Sequence, residues 1–161
     1  MLNELISRED CANCRICCKF EEDELIDAPT FTKEQVDYIK KNIDKNIKFT
    51  KNGNIYQIKL IKYSSKYKCP LLSDTGCILP NKYRPFDCES WPFYVMKKDN
   101  TYVITKSNDC PIFKKIDNKI LIKYIEDKFL SLAIEIAKDH PDMVTNYNRD
   151  LDILYEFRID W

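Results

Sequence analysis

Two glycines in 161 residues, Gly53 and Gly76, exclude functions that rest on a glycine-rich phosphate loop. Neither G-x-G-x-x-G nor a P-loop can be written anywhere in the chain. Histidine is scarcer still. His140 stands alone near a helix end before Pro141, where it reads as a solvated or dipole-facing residue, and most hydrolytic constellations built on imidazole are excluded. No apolar run reaches the roughly 18 residues that read as a bilayer-spanning helix. The start, "MLNELISRED", has neither the basic n-region nor the apolar h-region of a secretory signal. Net charge is missing too: 26 Lys and Arg against 26 Asp and Glu leave zero, whereas a nucleic-acid binder carries a basic excess or stripe. The chain is expected in the cytoplasm, with neither membrane nor nucleic acid as partner.

Cysteine is what the chain has in excess. "CANCRICC" places Cys11, Cys14, Cys17 and Cys18 within eight residues, and Cys69, Cys77, Cys88 and Cys110 follow. Three readings compete. Scattered singly, they would be ordinary buried thiols, which pack like small apolar residues. Disulfides suit the even count but not a reducing compartment. Metal ligation suits the crowding best.

Spacing then bears on the metal. Structural zinc usually takes two short knuckles, but only the N-terminal half offers C-x2-C. The run C-x2-C-x2-C matches the first three ligands of a ferredoxin-type 4Fe–4S site, whose remote ligand precedes proline, as Cys69-Pro70 and Cys110-Pro111 do. An iron–sulfur cluster, most simply 4Fe–4S, is expected over zinc. Adjacent side chains generally point apart, so Cys17 is expected on one centre and Cys18 turned toward another. The crowded group cannot close a four-ligand site alone, so at least one sulfur from residues 69–110 is expected on the same centre as Cys14.

The rest reads as a small α+β domain spanning 1–161. "TKEQVDYIKKNI" predicts a helix, with Thr32 and Gln35 at capping-box spacing. Asn52-Gly53 predicts a hairpin turn and Lys98–Asn100 a second. From Asp117 to Lys138, Leu121, Ile125, Phe129, Leu132 and Ile136 form one helical stripe. The tail "LDILYEFRIDW" suggests another short helix. Between these, "CPLLSDTGCILPNKYRPFDCESWPF" is a proline-rich, metal-binding loop that wants an organising centre. Arg84 within it can donate hydrogen bonds to metal-bound sulfur. Trp91, with Phe93 and Tyr94, can wall the centre from water. The acids of "EEDEL" read as a surface run.

"CANCRICC", "CPLLSDTGCIL", "RPFDCESWPF" and "DCP" together resemble the CxxCxxCC cysteine-cluster (YkgJ-like) family of zinc- or iron-chelating domains, over residues 11–112. The helical part, 117–161, lies outside the motif. The resemblance implies that Cys11, Cys14, Cys17, Cys18, Cys69, Cys77, Cys88 and Cys110 are metal ligands. It also implies redox or peptide- and protein-modifying chemistry, with a peptide or protein substrate. Glu89, Leu79 and Ile112 depart from the family pattern, which more often has Arg, Tyr and Gly there. The rival reading is a zinc-stabilised interaction module without catalysis.

Overall fold

The computed structural model describes residues 4–159 and divides after Ser90 into two units. Both helices and antiparallel sheets are present, an α+β fold.

The first unit opens with helix α1 (Arg8–Cys14) and a 3-10 turn (Ile16–Cys18) running into strand β1 (Lys19–Phe20). Strand β2 (Thr30–Phe31) leads to helix α2 (Lys33–Asn42). The predicted capping box starts α2: Thr32 Oγ1 accepts from the Gln35 N–H at 3.3 Å, and Gln35 Oε1 accepts from the Thr32 N–H at 2.9 Å. Val36 and Ile39 on its inner face are buried. The predicted hairpin follows as β3 (Phe49–Asn52) and β4 (Ile55–Ile58), turning through Gly53 at φ 59°, a left-handed conformation that glycine takes without cost. The sheet order is β2-β4-β3, and Phe31 meets Phe49 edge-on at 5.6 Å.

A second hairpin, β5 (Ile61–Tyr63) and β6 (Lys66–Lys68), carries β1 on its inner edge in the order β1-β6-β5. The short ladder of β7 (Leu72–Ser73) and β8 (Gly76–Cys77) and helix α3 (Phe86–Ser90) complete the unit. One buried cluster gathers Phe31, Val36, Ile39, Ile58, Leu71 and Leu79 around Cys69, with Cys18 and Cys77 packed against it.

In the second unit the predicted hairpin is β9 (Phe93–Lys98) and β10 (Thr101–Lys106), turning through Asp99 at φ 51°. The predicted long helix is helix α4 (Asn118–Tyr124), a π-helical turn (Ile125–Phe129) and helix α5 (Leu130–Asp139). The π turn corrects the expected stripe. Residues four apart drift about 40° around an ideal helix at each step; a wider turn absorbs that drift. Leu121, Ile125, Phe129, Ala133 and Ala137 are thereby all buried, while Leu132 is part-exposed. Phe93 anchors this core, 5.1 Å from the rings of both Phe113 and Phe129.

The tail differs from expectation. Strand β11 (Thr145–Asn146) pairs parallel to β9, and residues Ile153–Phe157, expected to be helical, form strand β12 antiparallel to β10. The register slips between Ile104 and Thr105, leaving Leu154 as an extra residue. That bulge puts Leu154 and Phe157, three apart, both into the buried set. A β-bulge thus imitates helical spacing.

Ala133 is fully buried on the inner face of helix α5. Ala133→Leu is expected to cost about 1–3 kcal/mol by overpacking, read as a lower urea midpoint for the second unit with its circular dichroism retained.

Candidate metal centre

The first cysteine segment is shaped by two devices. Ser7 caps α1: its Oγ accepts from the Asp10 N–H at 3.0 Å and donates to Asp10 Oδ2 at 2.6 Å. Arg15 then ends the helix at φ 56°, with its N–H on the Cys11 carbonyl at 3.0 Å. Arg15 Nε donates to the Ala12 carbonyl at 2.5 Å, and a terminal guanidinium N–H donates to the Asp74 carbonyl. The chain reverses into the 3-10 turn, where the Cys18 N–H reaches the Arg15 carbonyl at 3.2 Å.

The expectation that adjacency parts Cys17 from Cys18 is not met: their Sγ atoms lie 3.9 Å apart. With three residues per turn, successive side chains are roughly 120° apart in a 3-10 turn, not opposed as in a strand.

The second segment lies alongside. Lys19 pairs with Lys68 and Phe20 with Tyr67, and the Cys69 N–H donates to the Cys18 carbonyl at 3.0 Å. From there the Leu72 N–H returns to the Cys69 carbonyl at 3.1 Å, and Leu72 pairs with Cys77. Gly76 turns at φ 106°, a conformation strained for any side chain, and a Cβ built there would lie in ordinary contact with Ala12 of α1, 3.6 Å from its Cβ.

The proline-rich loop is tied down from the unit's sheet and helix side. Tyr83 stacks on Tyr38 of α2 at 3.6 Å. Gln35 Nε2 donates to the Arg84 carbonyl at 2.9 Å, so one glutamine both caps α2 and holds the loop. Asp87, beside Cys88, accepts from the Thr30 N–H and hydroxyl, each at 2.8 Å.

Electrostatics mark a group of four thiols. Cys69 is pushed up to about 12, chiefly by burial, with Cys77 and Cys17 adding to the rise and the Leu71 N–H opposing it. Cys17 is raised far above the ordinary thiol range by its contact with Cys18 and then by burial, while the Arg84 guanidinium pulls the other way. Burial also raises Cys88 well above that range, and Cys69, Cys17 and Cys77 each add to the rise. Cys17, Cys69, Cys77 and Cys88 are therefore near enough to feel one another's charge. Cys17, Cys69 and Cys88 are thereby favoured as neutral thiols, and a soft cation would make thiolates tolerable.

Arg84 supplies a second mark. Its Nε is buried and has no hydrogen-bond partner among the described residues. A buried N–H left unpaired costs about 1–3 kcal/mol, and a metal-bound thiolate is the kind of acceptor it lacks. The donor set is all sulfur, suited to zinc or iron–sulfur chemistry rather than to hard cations. Among the described residues, however, no three Cys, His, Asp or Glu side chains already form a gathered ligand group. The segments are brought together, and their sulfurs are only partly converged.

Cys11 is exposed on α1 and Cys14 is part-exposed at its end. Cys110 is buried in the second unit, with its carbonyl accepting from the Lys114 N–H at 3.2 Å. Trp91 opens that unit before a cis bond to Pro92, its ring edge-on to Tyr94 at 5.7 Å. No disulfide joins any of the eight cysteines. Sequence reading missed Arg15 and Asp87, whose partners lie 59 and 57 residues away with no local signal.

No family model, curated protein or solved structure matches the chain. The functional reading therefore stands on the cysteines and their surroundings.

Burial holds the Asp87 carboxyl above its ordinary range, against the opposing effect of the Thr30 hydrogen bonds. An acid raised in the folded state favours folding at low pH and loses that contribution as pH rises through its folded value. Asp87→Asn, which keeps an acceptor without the charge, is expected to hold or raise Tm at pH 7. Asp87→Ala strands the Thr30 donors and is expected to cost about 1–3 kcal/mol. Thermal melts of both variants between pH 4 and 8 check the ordering.

Proposed function

We propose that the first unit is a thiolate metal-binding module, holding iron as an iron–sulfur cluster through cysteines of both segments. The observation that carries this reading is the tie of Cys69 N–H to Cys18 O, which sets the vicinal pair Cys17–Cys18 beside Cys69 and Cys77. Cys88 joins them electrostatically. Bound there, an iron–sulfur group would supply one-electron redox chemistry. The chain's own residues would ligate it, exclude water around Cys69, and direct the Arg84 N–H at a sulfur. Cys11, Cys14 and Cys110 are further ligands on the family resemblance alone, and peptide- or protein-modifying chemistry also enters only through that resemblance. Trp91 as a wall to the centre stands on the same footing. A reducing compartment such as the cytoplasm suits a chain with this many thiols. Among the described residues no helix is long and apolar enough to cross a membrane.

A second reading, a zinc-stabilised interaction module without catalysis, is favoured by the thin packing of the N-terminal segment. Between residues 4 and 20, Ile6 and Phe20 are the buried apolar residues among those described. A segment with so little core needs a staple, and a structural ion provides one.

Anaerobic purification with metal and acid-labile sulfide analysis separates the readings. Iron with sulfide and absorption near 400 nm is expected; zinc without sulfide would favour the second reading. Neither metal in a folded protein overturns both. Chelation is expected to abolish cooperative melting of the first unit, since structural thiolate sites carry on the order of 10–16 kcal/mol of apparent binding energy by zinc-finger precedent.

A further inference from the structure

We propose that the adjacent residues Cys17 and Cys18 bind one and the same metal ion, as two corners of a tetrahedral thiolate site. The inference rests on the metal reading above and narrows it. The two sulfurs stand 3.9 Å apart. A tetrahedral ion with metal–sulfur bonds of about 2.3 Å holds its sulfurs about 3.8 Å apart. The pair already has the edge length of such a site.

A cubane asks for something different. Each of its cysteines takes an iron of its own, so two ligand sulfurs are parted by an iron–iron edge plus a bond at either end. That separation far exceeds 3.9 Å. Sites that place two thiolates on one ion remain: a zinc or iron ion held by four cysteines, or one iron of a 2Fe–2S cluster. The 4Fe–4S form expected from the C-x2-C-x2-C spacing is disfavoured for this pair.

The backbone supports sharing. The 3-10 turn closes at Lys19, whose N–H bonds the Ile16 carbonyl, and this fixes the chain on which both thiols sit. Cys18 is bonded through its carbonyl to Cys69, and Cys77 faces Leu72 in the ladder that leaves Cys69. Cys69 and Cys77 are thus tied through the backbone to the pair's segment, and the remaining corners fall to them as the ion draws the two segments in. The buried, unpartnered Nε of Arg84 is a separate sign that a hydrogen-bond acceptor belongs in this unit.

Cobalt(II) tests the assignment, because its near-ultraviolet charge-transfer intensity grows with each thiolate on the ion. The full chain, stripped of metal and titrated anaerobically with Co(II), is expected to show a tetrahedral spectrum. Cys17→Ser and Cys18→Ser should each remove about a quarter of the intensity per bound ion from a four-thiolate site, and each should bind cobalt more weakly. Full intensity in Cys18→Ser overturns the shared ion while leaving the metal reading standing. A wild-type chain that binds no cobalt overturns both. Should a serine variant fail to fold by circular dichroism, alkylation of the wild-type chain decides. Bound cobalt is expected to protect Cys17 and Cys18 together, and a chelator to expose both. Cys18 modified equally fast with and without cobalt overturns the inference.

Discussion

The site depends on one short tie between segments far apart in the chain. Strand β1 pairs with β6 over two residues, and the Cys69 N–H continues that ladder onto the Cys18 carbonyl at 3.0 Å. Each such bond contributes about 0.5–1.5 kcal/mol net. Ordering the backbone costs about 1–2 kcal/mol for every residue fixed. Little apolar surface is buried before Phe20, so the segment has few other terms to set against that cost. On the proposed metal reading, an ion bridging the segments would supply one of ample size.

The thiols behave consistently with that reading. Burial raises Cys69 and Cys88, and contact with Cys18 raises Cys17, so these three thiols favour the neutral form. Deprotonating several neighbouring buried thiols would leave like charges close together in a poor solvent for charge. An ion reverses this balance by lowering the cost of each thiolate. The Arg84 guanidinium works in the same direction on Cys17 but is one charge among several thiols. It adjusts a centre and cannot replace one.

Local chemistry was legible in the sequence where a single short segment decides it. The capping box of α2, the Gly53 turn, the turn through Asp99 and the sharp bend at Gly76 all follow from residue types at fixed offsets. Where two distant segments decide the outcome, the pattern misled. The tail read as a short helix, but pairing with β10 makes it a strand with a bulge at Leu154. The stripe through α4 and α5 was found, with Leu121, Ile125, Phe129 and Ile136 buried and Leu132 part-exposed, and Ala133 and Ala137 join it beyond a π turn. Eight cysteines suggested a centre, but spacing along the chain could not say that the Cys17 and Cys18 sulfurs stand 3.9 Å apart. That depends on a 3-10 turn set by Arg15, whose guanidinium partner Asp74 is distant in sequence.

The two halves of the centre are built to different standards. The second half rests on a scaffold: Gln35 and Tyr38 hold the loop at Arg84 and Tyr83, Thr30 holds Asp87, and Cys69 sits within the main buried cluster. The hydrogen bonds and ring stack of that scaffold involve no residue before Thr30, while Cys18 packs against the cluster and its carbonyl accepts from the Cys69 N–H. The first half has its own cap and turn but little packing of its own. On the proposed metal reading, an ion would draw the early cysteines toward Cys69, which already sits in the buried cluster. Its binding would add to the order of the N-terminal segment, while the sheet and helix of this unit bury Phe31, Ile39 and Leu71.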